Sequence, residues 1–218
     1  MNLPKLLASL AMLAVSAIGF SAEKADTISL RRAFIDFPSP ALDLLTRSMR
    51  LDMLDYYEAD SIYRVKNALE GLSSLDTVAT DYLRLRITPA STLQLKLLPL
   101  KKGGEIVMAI YTAGGEGQAA DSDIRFYDAS LTELPRDRHL KYPRLKDFFS
   151  IPKGSETTQK EIDSMVPFPT VEFTAFPGET SLKAVLTVGE YINQDDYNIL
   201  KLFLKPNIRL EWNGRKFE

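Results

Sequence analysis

The residues best suited to nucleophilic or metal-dependent chemistry are sparse in this 218-residue sequence, which contains one histidine, His139, and no cysteine. Thiolate nucleophiles and cysteine-ligated metals are therefore excluded, and one imidazole cannot build a histidine metal cage. A Ser-His-Asp triad would depend on His139, but no G-x-S-x-G turn is present to supply its serine. His139 lies in a basic run, so we expect it in a solvated loop.

Two acidic motifs have residue types that bind cations or catalyse hydrolysis: Asp121-Ser122-Asp123 and Asp195-Asp196. Neither belongs to the twelve-residue calcium-loop pattern, and helix capping or strand-edge charge explains each of them. The runs Gly103-Gly104 and Gly114-Gly115-Glu116-Gly117 lack the lysine and Ser/Thr of a phosphate-binding loop and indicate hairpin connections. We therefore assign no catalytic residue, no metal ligand and no cofactor.

Alternating residues in the middle of the chain predict strands near 81–88, 93–97, 106–112 and 124–127, which form a four-stranded antiparallel meander. A three-residue loop at 89–91 places Leu85 opposite Leu95, so that the leucines share one buried face. A four-residue loop at 101–104 then places Leu97 near Met108.

The same register creates the candidate ligand-binding face. Arg84 lies beside Lys96, and Arg86 lies beside Gln94 and Tyr111, on the side opposite the leucines. Adjacent like charges need compensation, either from an anionic ligand or from internal acidic side chains and water. The candidate ligand-binding residues are Arg84, Arg86, Lys96 and Tyr111.

Helical spacing predicts the elements that precede the meander. A short helix covers 29–37, and a second begins with Ser39 as its N-cap and Pro40 at its first position. A further helical turn or two is expected at 62–69, ended by Gly71.

The C-terminal half has its own mixture of elements. Residues 135–152 predict an irregular surface crossing, followed by strands at 170–176 and 182–188 and a helix at 193–204. The alternating residues 208–212 and the pair Asn213-Gly214 predict a type I′ hairpin with 215–218 as its return strand.

These elements predict an α+β fold. Residues 23–134 supply the N-terminal helices and the four-stranded meander, and residues 135–218 supply a second, smaller α+β half that ends in a β-hairpin. The second half is expected either as a separate lobe or as part of one continuous domain.

The first residues have the layout of a secretory signal peptide: Lys5, then an uncharged apolar run from Leu6 to Phe20, then small residues up to Ala22. We assign residues 1–22 to it; an uncleaved anchor is the alternative. Without cysteine the chain cannot carry a thioether-linked lipid, so we expect an extracytoplasmic protein that is not a lipoprotein. The formal net charge of −2 argues against a nucleic-acid partner.

Three segments carry a resemblance to a known family: Arg50 to Tyr57, Asp81 to Leu85 and Ser91 to Pro99. Together with Ser122 to Tyr127, they resemble exported Bacteroidales proteins catalogued as domain of unknown function 3256. The resemblance covers essentially the whole mature chain. It implies export and an α+β class but no activity.

These observations favour a non-catalytic binding or structural module of the cell envelope, whose partner is an envelope protein or an anionic glycan. The alternative is a carboxylate-based periplasmic hydrolase, or an inhibitor of one, because 29 acidic residues make a close carboxylate pair easy to form.

The leader assignment predicts a mature N-terminus between Phe20 and Asp26, where the apolar run ends and small residues cluster. N-terminal sequencing of the protein purified from its envelope fraction measures this directly. Retention of Met1 in that fraction would contradict cleavage and indicate an anchor.

Overall fold

The structure, a computed structural model, describes residues 27–38, 42–61, 63–114 and 117–218. The predicted signal peptide therefore lies outside the described residues. Within that part of the chain, no helix has both the length and the apolar character needed to cross a membrane.

Four α-helices, ten β-strands and three short 3₁₀ helices make up the regular structure of the described residues. The helices are α1 (Leu30–Asp36), α2 (Arg47–Glu58), α3 (Gln159–Met165) and α4 (Gln194–Leu200). The strands are β1 (Arg64–Lys66), β2 (Leu72–Val78), β3 (Tyr82–Thr88), β4 (Ser91–Pro99), β5 (Glu105–Ala113), β6 (Asp121–Tyr127), β7 (Glu133–Leu134), β8 (Val171–Ala175), β9 (Ser181–Leu186) and β10 (Ile208–Glu211).

The strands form two antiparallel sheets. Sheet 1 contains β1 to β7 in chain order, and sheet 2 contains β10, β9 and β8 in that order. The α+β class is confirmed, although the meander has seven strands where four were predicted. Strands β1, β2 and β7 were missed because they are short or rich in polar residues. The division of the chain at residues 134 and 135 stays a prediction.

Both faces of sheet 1 are covered over its central strands. One face carries Leu85 and Leu95 and packs against α1 and α2. The other carries Ile110 and Phe126 and packs against the C-terminal half, including sheet 2. Because both faces are covered, β4 and β5 are buried along almost their whole length, and β5 is largely apolar. The molecule has three layers: helices, sheet 1 and sheet 2.

Helix α2 begins later than its sequence pattern predicted. Ser39 lies outside the described residues, but Leu42 to Leu45 form a turn in which the N–H of Leu45 donates to the oxygen of Leu42 over 2.9 Å. The helix itself begins at Arg47, where the hydroxyl of Thr46 accepts from the N–H of Met49. The predicted start is therefore wrong for residues 42–46, because Thr46 provides the N-cap.

Arg50 fixes α2 to α1. Its buried guanidinium donates through Nη1 to the backbone oxygens of Phe34 (3.2 Å) and Phe37 (3.1 Å), at the C-terminal end of α1. Carbonyls at a helix C-terminus lack partners within the helix, so the arginine satisfies them from outside. This contact helps to hold α2 against sheet 1.

The helical turn predicted at 62–69 is wrong over the described residues 63–69, because Asn67 organises this segment into a hairpin turn between β1 and β2. Its Oδ1 accepts from the N–H groups of Leu69 (3.0 Å) and Gly71 (3.1 Å). Its Nδ2 donates to the backbone oxygen of Ile87 over 3.0 Å. An asparagine that bonds nearby backbone in this way favours a turn over a helix.

The predicted register was wrong by two residues between β3 and β4. Leu85 pairs with Leu93 rather than Leu95, because the register shifts between Arg86 and Thr88. A shift of two keeps each side chain on its original face, so the leucines still share one face.

Between β4 and β5 the predicted register was wrong by one residue. Leu97 pairs with Val107 rather than Met108, since the loop spans the five residues 100–104 instead of four. A one-residue shift moves side chains to the opposite face. Met108 therefore lies with Lys96, away from the leucines.

The C-terminal hairpin is confirmed with a different turn. Trp212 bridges to Phe217, but only Gly214 has a positive φ, of 84°. A type I′ turn needs positive φ at both central residues, so that turn type is wrong. The Oδ1 of Asn213 instead accepts from the N–H groups of Arg215 (3.0 Å) and Lys216 (2.9 Å).

The free edge of β8 rests on sheet 1, whose side chains satisfy its backbone. We call these contacts the β8 seam. N–H groups at alternate β8 residues donate to sheet 1 side chains, each over 3.0 Å: Val171 to Asp121, Phe173 to Ser122 and Ala175 to Gln94.

Gln94 is the central residue of the β8 seam. Its Nε2 donates to the oxygen of Phe173 over 3.1 Å, while its Oε1 accepts from both Ala175 and the hydroxyl of Tyr82. Burial raises the pKa of Tyr82, so its phenol stays protonated and able to donate. Both the nitrogen and the oxygen of the Gln94 side-chain amide are therefore hydrogen-bonded within the protein.

We expect Gln94→Leu to destabilise the protein by about 2–4 kcal/mol, because it leaves two buried backbone groups without partners. Urea unfolding at neutral pH measures this. The matched change Gln159→Leu affects a partly exposed glutamine of α3, whose side chain bonds only Asp163 on its own helix among the described residues. It should cost less than about 1 kcal/mol. Equal costs for the two variants would contradict the importance of the β8 seam.

Candidate functional site

Two of the four predicted ligand-binding residues are not available on the predicted face. Lys96 is 1% exposed, and its ammonium group donates to Oδ2 of Asp81 (2.5 Å) and to the oxygen of Phe176 (2.8 Å). Tyr111 pairs with Leu93 and therefore lies on the helix-covered face. The predicted pairs of Arg84 with Lys96 and of Arg86 with Gln94 are wrong because of the two-residue register shift, which pairs Arg84 with Gln94 and Arg86 with Thr92. The predicted contact of Arg86 with Tyr111 is wrong because the two side chains lie on opposite faces of the sheet.

Arg84 and Arg86 remain on the predicted face and are 36% and 48% exposed. They share the carboxylate of Asp76, whose Oδ2 lies 2.9 Å from Nη2 of Arg86 and 3.8 Å from Nε of Arg84. A β-bulge between Leu75 and Thr77 contains Asp76, and bulges redirect side chains in this way. Asp76 therefore neutralises these arginines from within the protein, which is one of the two alternatives that the sequence left open. A ligand-binding role of these arginines stays a prediction.

A groove of about 820 Å³ opens beside this charge cluster, between the C-terminal part of α2 and strands β1 to β3. We call it the α2/β2 groove. It forms where β1 ends: β1 pairs only with Leu72 to Ser74, so the next part of β2 has no neighbour on that side. The groove is lined by Met53, Tyr57, Asp60, Ser61, Tyr63, Arg64, Leu72, Ser74, Leu75, Asp76, Arg86 and Pro89.

Arg64 is the cation that sequence reasoning missed. It pairs with Ser74, which pairs with Arg86 on its other side, so that the three residues form one row across the sheet. The small Ser74 side chain separates the two guanidinium groups. Arg86 bonds Asp76, whereas the exposed side chain of Arg64 forms no ion pair or hydrogen bond with the described residues.

Aromatic side chains complete the wall on the α2 side. Tyr57 and Tyr63 line the groove, and the ring of Tyr63 stacks on that of Tyr56 with centroids 4.2 Å apart. Stacking holds the Tyr63 ring in a defined orientation. The groove therefore combines aromatic surface, two guanidinium groups, the carboxylates of Asp60 and Asp76, and serine hydroxyls.

The sequence signal for this site was the alternation of polar Arg64 and Lys66 with apolar Val65. Val65 is buried, while its neighbours Arg64 and Lys66 are exposed, which is the pattern of a strand. Assigning the segment to a helix removed Arg64 and Tyr63 from consideration.

The other candidates for chemistry, His139 and the pair Asp195-Asp196, have structural roles. His139 is partly buried, with its Nδ1 3.0 Å from the oxygen of Arg215 and its ring 5.2 Å from that of Phe126. Asp195 and Asp196 lie in the first turn of α4, as the capping interpretation predicted. Among the described residues, no group of three or more histidine, aspartate and glutamate side chains has the arrangement needed to hold a metal ion.

The fold and groove define an α+β domain whose seven-stranded meander is covered on both faces and leaves a polar groove at its first edge. The chain belongs to the family described as Protein of unknown function (DUF3256), whose model matches residues 22–217. None of the curated proteins matches the sequence significantly.

A solved structure shares the fold. It is described as the structure of a domain of an uncharacterized protein from Porphyromonas gingivalis W83, and it is 20% identical with a TM-score of 0.73. The match covers 87% of this chain and 96% of that one. At this identity the likeness supports the fold alone.

The Lys96–Asp81 pair predicts a pH-dependent part of the stability. Burial by itself would raise the pKa of Asp81, but hydrogen bonds from Lys96 and from the N–H of Gly178 outweigh it, so the pKa lies below its ordinary value. A depressed carboxyl pKa stabilises the fold above the unfolded value of about 3.9 and loses that effect as pH falls through the folded value.

We therefore expect Asp81→Asn to lower the free energy of unfolding by about 1–3 kcal/mol at pH 7, because it leaves buried Lys96 without its counter-ion. The difference from wild type should shrink as pH falls below the unfolded value of about 4 and through the lower folded value, where native Asp81 itself becomes protonated. Urea unfolding at pH 7, 5 and 3 measures both effects, with the exposed Asp137→Asn as control. A difference that stays constant over this range would contradict the interpretation.

Proposed function

We propose that this protein is an exported, non-catalytic binding module of the cell envelope, and that its α2/β2 groove binds an anionic glycan. The row of Arg64, Ser74 and Arg86 carries the proposal, because it presents inside a groove of about 820 Å³ the guanidinium group of Arg64, which forms no ion pair with the described residues. The leader-like sequence at residues 1–22 supports export.

The charges of the groove favour a sugar acid over a simple polyanion. Planar guanidinium groups bind carboxylates through two parallel hydrogen bonds, and no carboxylate of the described residues competes for Arg64. The carboxylates of Asp60 and Asp76 would repel a uniformly anionic chain, but they accept hydrogen bonds from sugar hydroxyls.

The aromatic wall favours a carbohydrate for a second reason. Pyranose rings present apolar C–H faces that stack on aromatic rings, and the ring of Tyr63 is already held by Tyr56 at 4.2 Å. A pocket with apolar surface and a few convergent polar groups is the usual form of a small-ligand site.

The alternative, a carboxylate-based hydrolase, is favoured by one observation: Asp60 and Asp76 line the same groove. Glycoside hydrolysis uses two carboxyl groups, one of which donates a proton. Oδ2 of Asp76 already contacts two guanidinium groups, at 2.9 and 3.8 Å, which suits an orienting role better than proton donation. We therefore place binding before hydrolysis.

Arg64→Ala should weaken binding of a uronic-acid oligosaccharide by about tenfold or more, because a charge-assisted hydrogen-bonded pair contributes about 1.5–3 kcal/mol. Isothermal titration calorimetry of the mature protein at 20 and 150 mM salt measures the loss. Binding to wild type should weaken as salt rises.

Arg138→Ala is the matched control, since it removes an exposed arginine that does not line the groove. It should leave the affinity unchanged within about twofold. Equal binding by wild type and Arg64→Ala contradicts the groove assignment. Release of new reducing ends during the titration would instead favour the hydrolase.

A further inference from the structure

A second groove, of about 500 Å³, lies along the outer edge of β10, with residues 141–147 as its other wall. We call it the β10 groove. The chain has a formal net charge of −2, yet this groove is rich in positive charge. Its positively charged lining residues are Lys141, Arg144, Lys146, Lys205 and Arg209, against the acidic residues Asp147 and Glu218.

Internal carboxylates neutralise the arginines but not the lysines of the β10 groove. Arg209 lies 2.8 Å from Glu179, and Arg144 lies 3.5 Å from Asp147. The ammonium group of Lys205 donates only to a backbone oxygen, over 2.8 Å. Within the described part of the chain, three lining lysines thus form no ion pair: Lys141, Lys146 and Lys205.

The backbone of β10 is also open on this side. Glu211 exchanges two backbone hydrogen bonds with Glu218, of 3.0 and 3.3 Å, on the side away from β9. Hydrogen-bonding directions alternate along an antiparallel strand, so the N–H and C=O of Arg209, two residues earlier, point the same way. No described strand or bridge pairs with Arg209 there.

Backbone contacts join the two walls at both ends of the groove. At one end the N–H of Lys141 donates to the oxygen of Phe217 over 3.1 Å, and at the other the N–H of Lys205 donates to the oxygen of Phe148 over 2.8 Å. Between these ends, the apolar side chains of Ile208 and Leu210 contribute to the lining. The groove is therefore a bounded gap beside an unpaired strand edge.

We propose that the β10 groove binds an acidic peptide segment of a protein partner in extended conformation, as a strand added to β10 at Arg209. Main-chain hydrogen bonds supply affinity in this mode, while alternate side chains supply specificity. Acidic residues of the peptide contact Lys141 and Lys146, and the intervening apolar residues contact Ile208 and Leu210. The open backbone edge favours a peptide over a glycan.

The probe is a fluorescent eight-residue peptide of alternating Glu and Val, titrated into the full mature chain and followed by anisotropy. Lys141→Ala/Lys146→Ala should weaken its binding by about tenfold or more, because two unpaired charges are removed. The control Lys153→Ala/Lys160→Ala removes two exposed lysines outside the groove and should stay within about twofold of wild type.

Strand addition is tested by the same peptide with N-methyl groups at alternate residues, which removes the donors that face β10. This peptide should lose binding, and the unmodified peptide should slow hydrogen exchange at the Arg209 amide. Equal binding of the methylated peptide, unchanged exchange at Arg209, or an affinity unaffected by the lysine substitutions would overturn the proposal. Absence of binding by the acidic peptide would overturn it as well.

Discussion

A strand edge that enters a protein interior must find partners for alternate N–H and C=O groups, and this requirement joins the two sheets of the protein. The edge of β8 meets it with side chains of sheet 1 rather than with another strand: Asp121, Ser122 and Gln94 accept from its N–H groups. Lys96 extends the same arrangement, because it donates to the oxygen of Phe176 while paired with Asp81. Unpaired buried backbone groups cost about 1–3 kcal/mol each, so the position of sheet 2 is tightly specified.

This arrangement divides one face of sheet 1 into two regions with different roles. Over β4 to β6 the face is covered by the C-terminal half, and its polar residues Gln94 and Lys96 are buried. Over β1 to β3 the same face retains exposure, with Leu72 52% and Arg86 48% exposed. Polar residues of similar sequence pattern are therefore structural in one region and available for recognition in the other. The proposed glycan groove lies in the exposed region because sheet 2 covers the central strands.

The period of the hydrophobic residues and the residue types at turns were sufficient to predict the α+β fold class, the central strands of sheet 1 and the shared face of the leucines. The same reasoning could not predict which side of each strand a distant segment covers, so Lys96 was assigned to a ligand rather than to Asp81 and Phe176. The other errors arose where a local side chain bonds the backbone in a way that the helical pattern did not predict. Thr46 provides the cap that had been assigned to Ser39, and Asn67 converts a weakly helical segment into the turn that brings Arg64 to the groove. Bulges and loop lengths fix register, and neither follows from alternation alone.

Native-state hydrogen exchange at the three outward amides of β8 tests the central claim most directly, namely that side chains of sheet 1 satisfy this edge. These amides belong to Val171, Phe173 and Ala175, and they lie at the edge of a three-stranded sheet. The account predicts that they exchange as slowly as the amides between β8 and β9, because each donates a buried or partly buried hydrogen bond over 3.0 Å. Fast exchange at all three, typical of a solvent-exposed edge, would contradict it.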